Sequence, residues 1–242
     1  MIRRFIVSKI VYLCPFKIMD ISNKKLDNMS KLVSIEEAVA HVKDGMTLMI
    51  GGFLGAGTGV KMVEAIANKG VKDLTLICND TAYPNKAIGM LISNKQVKKL
   101  YASHIGTNAD TIQQLNDKTL EIEFCPQGTL AERIRCGGAG LGGVLTQTGL
   151  GTVVENGKRK IEVDGKEYLL ELPLHADVAI IGASICDEMG NAIYKGTTQN
   201  FNPMMAAAAD TVILETKELV PTGSIPMEQI HTPGIYVDYI VK

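Results

Sequence analysis

Five glycines within nine residues form the stretch of this chain that is best suited to bind a ligand through its backbone. An apolar run at residues 46–50 leads into them, and helical spacing resumes at Val60. Glycine allows positive φ and leaves backbone N–H groups uncovered, and the N-terminus of a helix favours negative charge. Strand, glycine loop and helix in this order therefore predict a site for an anionic group. The glycines are Gly51, Gly52, Gly55, Gly57 and Gly59.

Two familiar nucleotide-binding patterns do not fit this loop. The dinucleotide pattern G-x-G-x-x-G, if it began at Gly55, would need glycine where the chain has Val60. A P-loop needs Gly-Lys followed by Ser or Thr, whereas Met62 follows Lys61 here. The other use of such a turn, close packing of a strand against a helix, remains open at this level.

Polar residues follow three further strand-like segments. Ligands of open α/β sheets bind at the carboxyl ends of the strands, so these residues and the glycine loop are expected to share one edge of a sheet. They are Asn79 and Asp80 after residues 74–78, Ser103 and His104 after residues 100–102, and Gln127 after residues 121–124.

The elements that must position these residues alternate between strand and helix. A capping box of Ser34 and Glu37 predicts a helix that runs to about Lys43, and Gly70 ends the helix after the glycine loop. Short strands separated by helices predict an α/β fold with an open, mostly parallel sheet flanked by helices. Later strands are expected at residues 176–182 and 212–215.

An inserted antiparallel β-meander is predicted in the second half of the chain. Its strands are expected at residues 152–155, 158–163 and 166–171. Asn156-Gly157 and Asp164-Gly165 separate them, and both pairs are typical of two-residue hairpin turns.

Composition excludes several classes of function. The 242 residues carry a net charge of −1 with no long charge run, so nothing indicates nucleic acid. No apolar run approaches the ~20 residues that span a bilayer. The five cysteines form no C-x-x-C pair, which favours reduced thiols and a cytoplasmic protein over a zinc site or a disulfide framework.

Residues 1–28 differ from the rest of the chain. An Arg pair followed by apolar residues resembles a signal peptide, but lysines interrupt the apolar part and no A-x-A cleavage site follows. We expect a dispensable or disordered extension, with Met29 as the working start, and a single domain at residues 29–242.

Several motifs in order give the chain a resemblance to a known family. The pattern begins at Asp44-Gly45 and continues through Gly51-Gly52-Phe53 and Gly57. It resembles the signature of family I CoA-transferases, alpha-type subunit, and is most similar to the acetate/acetoacetate group. Gly59 departs from the pattern, which has proline there. Further matching motifs lie at residues 79–81, 103–108, 126–135, 137–140 and 200–202.

The resemblance implies the chemistry. In this family a glutamate of the beta-type subunit, in a Ser-Glu-Asn-Gly turn, takes CoA from an acyl-CoA through acyl-glutamyl and glutamyl-CoA intermediates. This chain would then be half of an enzyme, an acetate or butyrate–acetoacetate CoA-transferase, that needs a beta subunit, as α2β2. Coenzyme A would be a substrate, no cofactor would stay bound, and no metal is implied. Alternatives are a succinyl or 3-oxoadipate (3-oxoacid) CoA-transferase subunit, or a non-catalytic acyl-CoA-binding module.

The resemblance also implies roles for individual residues. The loop residues would bind CoA, Gln127 would support the thioester oxyanion, and Asn79 and Asp80 would line the substrate site. A structural role remains open for Asp80 and is preferred for His104. Glu155 stands in a Glu-Asn-Gly sequence but lacks the serine, so we interpret it as part of a turn and expect no catalytic residue in this chain. The loop residues are Gly51, Gly52, Phe53, Leu54, Gly55, Ala56 and Gly57.

Overall fold

A computed structural model of the chain describes residues 30–242. The predicted extension at residues 1–28, which includes Cys14, lies outside the described residues, as does Met29. No helix within the described range is long and apolar enough to cross a membrane.

One large sheet forms the centre of the fold. Its strands are ordered β11-β10-β8-β1-β2-β3-β4, all parallel, and β9 pairs antiparallel with β8. The strands are β1 (Thr47–Ile50), β2 (Leu74–Ile77), β3 (Val97–Ala102), β4 (Glu121–Phe124), β8 (Ala176–Asp187), β9 (Ala192–Ile193), β10 (Ala209–Val220) and β11 (Tyr239–Val241).

Helices cover both faces of this sheet. Alternation along β1 divides the core, because Leu48 and Ile50 pack on one face while Met49 packs on the other. The helices are α1 (Ile35–Val39), α2 (Val60–Lys69), α3 (Gly89–Ser93), α4 (Ala109–Asn116), α5 (Gln127–Gly138) and α6 (Asn202–Ala207). The predicted α/β fold with a mostly parallel sheet is therefore confirmed.

Local helix signals are confirmed in part. The Ser34 hydroxyl accepts from Glu37 N–H, and the Glu37 carboxylate accepts from Ser34 N–H, as the capping box requires. The regular helix nevertheless ends at Val39, earlier than Lys43, and continues as turns. Gly70 ends α2 with a φ of 72°, in the left-handed conformation typical of a glycine C-cap.

A separate three-stranded antiparallel sheet confirms the inserted antiparallel element but corrects one of its strands and their order. The last of the three strands along the chain lies in the middle, so the strands do not form a meander. The order is β5-β7-β6, from β5 (Val144–Thr146), β6 (Lys160–Val163) and β7 (Lys166–Glu171). Asp164 and Gly165, with φ of 51° and 71°, form the predicted turn between β6 and β7.

The prediction of a strand at residues 152–155 is wrong. Val153–Glu155 is a single 3-10 turn, in which the Thr152 hydroxyl accepts from Val154 N–H. The side chain of Val153 is 84% exposed, so burial does not favour an extended strand there. The third strand comes instead from Val144–Thr146, which pairs with the carboxyl half of β7.

Candidate active site

The glycine loop connects β1 to α2 and contains a tight turn at its tip. Phe53 and Ala56 exchange two backbone hydrogen bonds of 2.9 and 3.0 Å. The two residues between them, Leu54 and Gly55, have φ of 51° and 90°, which is the backbone of a two-residue hairpin turn. The loop residues predicted to bind CoA thus form a defined structure.

Close contacts explain the glycines at two positions. A Cβ on Gly51 would lie 1.6 Å from Asn202 Oδ1. Gly57 has a φ of 80°, and a Cβ there would lie 2.4 Å from the carbonyl oxygen of Thr198. Both glycines therefore let the loop approach residues 198–202, which lead into α6 and include its first residue.

Two asparagines of that segment hold the loop in place. Asn200 Oδ1 accepts from Gly52 N–H at 2.9 Å, and Asn200 Nδ2 donates to Ala56 O at 3.0 Å. The fully buried Asn202 donates to Gly57 O at 2.9 Å. In the sequence both residues belong to a matching motif but had no assigned role. Their amide side chains were a usable signal, because they can satisfy both donors and acceptors of a loop backbone.

A carboxylate of this chain already lies at the N-terminus of α2. Glu215 on β10 accepts from Met62 N–H at 2.9 Å through Oε2. An anionic ligand group was expected here from the sequence, since helix N-termini favour negative charge. The carboxylate makes that helix end a weaker anion site. Within residues 30–242, the N–H groups of Gly55 and Gly57 on the loop itself have no hydrogen-bond partner.

Asp80, predicted to line the site, is buried and fully hydrogen-bonded. Its Oδ2 accepts from Leu54 N–H at 3.0 Å and from Asn79 Nδ2 at 2.7 Å, and its Oδ1 accepts from Ala82 N–H at 2.7 Å. The residue is 2% exposed. With both oxygens accepting hydrogen bonds from the chain, this carboxylate orders the backbone around it.

Gln127 lies at the first position of α5, beside Ser103. The Ser103 hydroxyl donates to Gln127 Oε1 and also lies 3.3 Å from Asn79 Oδ1. Because its oxygen accepts this bond, the Gln127 side chain keeps its NH2 group as a donor, and that group has no partner among the described residues. Gln127 is exposed, so the NH2 group can reach a ligand.

These contacts form one connected network at the carboxyl ends of β1 to β4. It runs from the glycine loop at Leu54 through Asp80, Asn79 and Ser103 to Gln127. The structure therefore brings together residues that were selected from separate motifs of the sequence. Ser103, which had no assigned role, is the link between two of them.

Two other candidates take no part in this network. His104 is exposed and makes a backbone bridge with Asp80 but no side-chain hydrogen bond to it. Glu155 accepts from Gly151 N–H at 2.7 Å and pairs with Lys160 at 3.2 Å. The Gly151 hydrogen bond, followed by Lys160, lowers the pKa of the Glu155 carboxyl below its usual range. Both observations fit the structural interpretation.

The thiols near the site are poor nucleophiles. Cys78 directly follows β2, two residues before Asp80, and is fully buried. Burial, and to a lesser extent the Asp80 carboxylate, raise the pKa of the Cys78 thiol well above its usual range. Among residues 30–242, no cluster of three or more His, Cys, Asp or Glu side chains could hold a metal ion.

Comparison with known proteins identifies the family. The coenzyme A transferase profile matches residues 32–242. The acetoacetyl-CoA:acetate/butyrate CoA transferase alpha subunit of Clostridium acetobutylicum is 59% identical over 213 residues, which are 88% of this chain and 98% of that subunit. The chain belongs to the coenzyme A transferase family.

Other relatives agree with the alpha-type assignment. The alpha chain of the acetate CoA-transferase of Escherichia coli K12 is 51% identical over 212 residues, 88% of this CoA-transferase chain and 96% of the relative. A probable succinyl-CoA:3-ketoacid CoA-transferase chain of Bacillus subtilis is less similar, at 44% identity over 210 residues, 87% of this chain and 88% of that one. The predicted family, its alpha type and the class of transferase are confirmed.

The fold of the CoA-transferase chain is also found in a solved structure. The acyl-CoA transferase YdiF apoenzyme of Escherichia coli O157:H7 matches with a TM-score of 0.78 at 22% identity. The match covers 90% of this chain and 48% of YdiF, so the chain spans about half the length of that protein.

Proposed function

We propose that this chain is the alpha subunit of an enzyme that moves CoA between acetoacetyl-CoA, or another short-chain acyl-CoA, and a carboxylate such as acetate. The observation that carries the proposal is the 59% identity, over nearly the whole length, to a subunit named for acetoacetyl-CoA, acetate and butyrate. A 3-oxoacid CoA-transferase subunit is the second candidate, and the lower identity of 44% to such a subunit makes it less favoured.

The reaction needs a nucleophilic carboxylate, which we assign to a beta-type partner. That carboxylate attacks the thioester carbonyl and expels CoA as thiolate, leaving an acyl-glutamyl anhydride. The thiolate then attacks the glutamyl carbonyl, so the acid leaves and a glutamyl-CoA thioester forms. The incoming carboxylate then attacks the glutamyl-CoA carbonyl and expels CoA as thiolate. The thiolate attacks the acyl carbonyl of the new anhydride, which forms the new acyl-CoA and releases the glutamate. Asp80 is unsuited to this role because both of its oxygens already accept hydrogen bonds from the chain.

Gln127 is the group of this chain that we place at the reacting thioester. Negative charge develops on the thioester oxygen during attack, and a fixed uncharged donor stabilises it without giving up a proton. The Ser103 hydroxyl donates to the amide oxygen and leaves the NH2 group of this exposed residue available as a donor. The loop from Gly51 to Gly57 would hold the CoA moiety, with the N–H groups of Gly55 and Gly57 as donors.

Several finer features belong to the same proposal. Coenzyme A acts as a substrate and no cofactor remains bound between turnovers. The two kinds of chain assemble as α2β2 in the cytoplasm, and residues 29–242 form the working domain, with residues 1–28 dispensable.

The test compares the isolated chain with the complex. Residues 29–242 and the full chain are each purified alone and with the beta subunit, and CoA transfer from acetoacetyl-CoA to acetate is measured; the isolated beta subunit serves as the control. We expect activity only in the complexes, and equal activity for the two lengths. Turnover by the isolated chain would disprove the shared site. Binding of CoA by a complex that transfers it to no acid, including succinate and 3-oxoadipate, would favour a non-catalytic binding module.

A further inference from the structure

A second tight turn beside the glycine loop follows β2 just as the loop follows β1. Tyr83 and Lys86 form an antiparallel bridge, and Lys86 N–H donates to Tyr83 O at 3.1 Å. Ala82, Asn85 and Ala87 have φ of 52°, 55° and 45°. Left-handed φ is costly for residues other than glycine and tends to cluster at functional sites. No motif in the sequence and no similarity to a known protein assigns this turn a role.

The two turns lie beside each other and present similar surfaces. A Cβ built on Gly55 would lie 3.7 Å from Ala87 Cβ, which is ordinary van der Waals contact. Each turn begins with an aromatic residue, Phe53 in one and Tyr83 in the other, and both are 44% exposed. Two half-exposed rings on adjoining turns give this edge of the sheet an apolar surface with one phenol group.

Asp80 fastens one turn to the other. One carboxylate oxygen accepts from Leu54 N–H in the glycine loop, and the other accepts from Ala82 N–H, directly before Tyr83. Asn79 Nδ2 adds a third bond. A buried carboxylate that accepts from two segments sets the distance between them, which an amide cannot do because it offers only one acceptor atom.

Packing behind the second turn also limits its movement. The Tyr83 carbonyl oxygen lies 2.0 Å from the position that a Cβ on Gly89 would take, so α3 begins directly behind the turn. Thr107 Oγ1 donates to Ala82 O at 2.8 Å, and Asn85 N–H donates to Ser93 Oγ at 3.1 Å. The turn is therefore held by α3 and by Thr107, while the Tyr83 side chain stays partly exposed.

We propose that residues 82–87 form the second wall of the acyl-CoA site, with Tyr83 contacting the pantetheine arm and Asp80 as the residue that positions both walls. The proposal rests on the proposed function. The same network that contains Asp80 ends at Gln127, where the thioester is placed, so the part of the substrate nearest these turns is the arm next to the thioester. That arm is a chain of methylene and amide groups, which suits aromatic surface with a hydroxyl group.

Substrate fragments test the contact of Tyr83. Tyr83→Ala and Tyr83→Phe complexes are compared with acetoacetyl-CoA, acetoacetyl-pantetheine and acetoacetyl-N-acetylcysteamine. We expect Tyr83→Ala to raise KM for the first two about tenfold, with kcat and the KM for acetate nearly unchanged. The effect should shrink with the cysteamine thioester, which keeps only the first amide next to the sulfur and lacks the rest of the arm. Tyr83→Phe should show a smaller increase, because it keeps the ring.

Asp80 is tested against a matched buried aspartate. Asp187 is 1% exposed and also accepts from two backbone amides and one asparagine side chain, but all of these lie in its own turn. Asp80→Asn should raise KM for acetoacetyl-CoA by a similar factor, whereas Asp187→Asn should leave it unchanged at a comparable loss of thermal stability. Equal KM values for the two variants would reduce Asp80 to a purely structural residue and overturn its positioning role.

Two outcomes overturn the contact of Tyr83 with the arm. An unchanged KM in Tyr83→Ala does so directly. Loss of the beta subunit from the Tyr83→Ala complex in analytical ultracentrifugation would make Tyr83 a contact of the partner instead. Direct titration of the wild-type and Tyr83→Ala complexes with acetoacetyl-CoA in a calorimeter needs no turnover. A wild-type complex that binds acetoacetyl-CoA but does not transfer CoA would refute the proposed function and leave the binding comparison intact.

Discussion

At the scale of single residues, the function depends on which hydrogen-bonding groups the chain has left free. Asp80 has both oxygens occupied by hydrogen bonds from the protein, which makes it unsuited to attack a substrate. Gln127 is exposed and has its oxygen occupied by Ser103, while its NH2 group has no partner among the described residues and stays available as a donor. Two polar residues of one network thus have different uses because their donors and acceptors are assigned differently.

Replacing Gln127 tests this distinction. Gln127→Ala in the complex should lower kcat about 10²-fold, the usual cost of removing one oxyanion donor. Gln127→Glu should be at least as damaging, because a carboxylate has the same shape but repels the developing charge. Gln113, exposed on α4 and bonded to Asp117, provides the matched control, and Gln113→Ala should keep the wild-type rate. Steady-state kinetics at saturating substrates decide, and an unchanged kcat in Gln127→Ala rejects the oxyanion role.

At the scale of elements, the sequence predicted those caps, turns and loops that depend only on residues close together along the chain. The cap at Ser34 and Glu37, the turn at Asp164-Gly165 and the glycine loop all follow from local chemistry, and all are present. The false strand at residues 152–155 has the residue types of a strand but no partner strand beside it. Pairing is a tertiary property, which explains why propensity failed there.

Prediction of the candidate site was limited in the same way, because contacts between distant parts of the chain have no local pattern. Gln127, Asn79 and Asp80 were found because each follows a strand, and the topology then places them at one edge. Glu215 at the N-terminus of α2 and Asn202 beneath Gly57 come from segments more than 140 residues away along the chain. No local pattern joins such residues to the loop, so the sequence could not show that a carboxylate already lies where an anion was expected.

Two glycines on either side of α2 allow the cost of a strained backbone to be measured apart from the cost of a steric clash. Gly57 and Gly70 have similar φ, 80° and 72°, but a Cβ on Gly57 would meet Thr198 O at 2.4 Å, whereas nothing lies within 4 Å of one on Gly70. Gly70→Ala should cost about 1 kcal/mol from the left-handed backbone alone. Gly57→Ala should lower the thermal midpoint further and raise KM for acetoacetyl-CoA. Thermal unfolding and kinetics of both complexes measure this, and equal effects of the two variants would contradict the packing explanation.

At the scale of the whole molecule, one sheet edge collects the loops of neighbouring strands into an open surface. The loops after β1, β2, β3 and β4 supply the network, and the segment before α6 supports it from the other side. At that surface lie the glycine loop, the exposed Gln127 amide and the half-exposed Phe53 and Tyr83 rings, and both oxygens of the Asp80 carboxylate already accept hydrogen bonds. This arrangement is what half of a shared site requires, since the nucleophile then comes from a second chain.

The buried interior adds a pH dependence that belongs to the whole fold. Burial, followed by the Asp187 charge, raises the pKa of the Cys186 thiol from 9.0 to about 12. Above about pH 9 the unfolded chain loses this proton while the folded chain keeps it, so the unfolded state binds fewer protons and stability falls as pH rises. Burial raises the pKa of the Tyr194 hydroxyl in the same direction. The protein should therefore lose stability progressively as the pH rises through about 9.

Replacing the thiol isolates its share of this effect. Cys186→Val removes the titrating group, so the stability of the wild type relative to the variant should fall by about 1 kcal/mol between about pH 8 and about pH 10. For a chain of this size that is a shift of roughly 2–4 °C in the difference between the thermal midpoints. Ile181→Val removes one methylene from the same core cluster and adds no titrating group, so its difference from the wild type should not change with pH. If the Cys186→Val difference is also constant with pH, the thiol is not held protonated, because a raised pKa in the folded state requires its stability contribution to fade as hydroxide concentration increases.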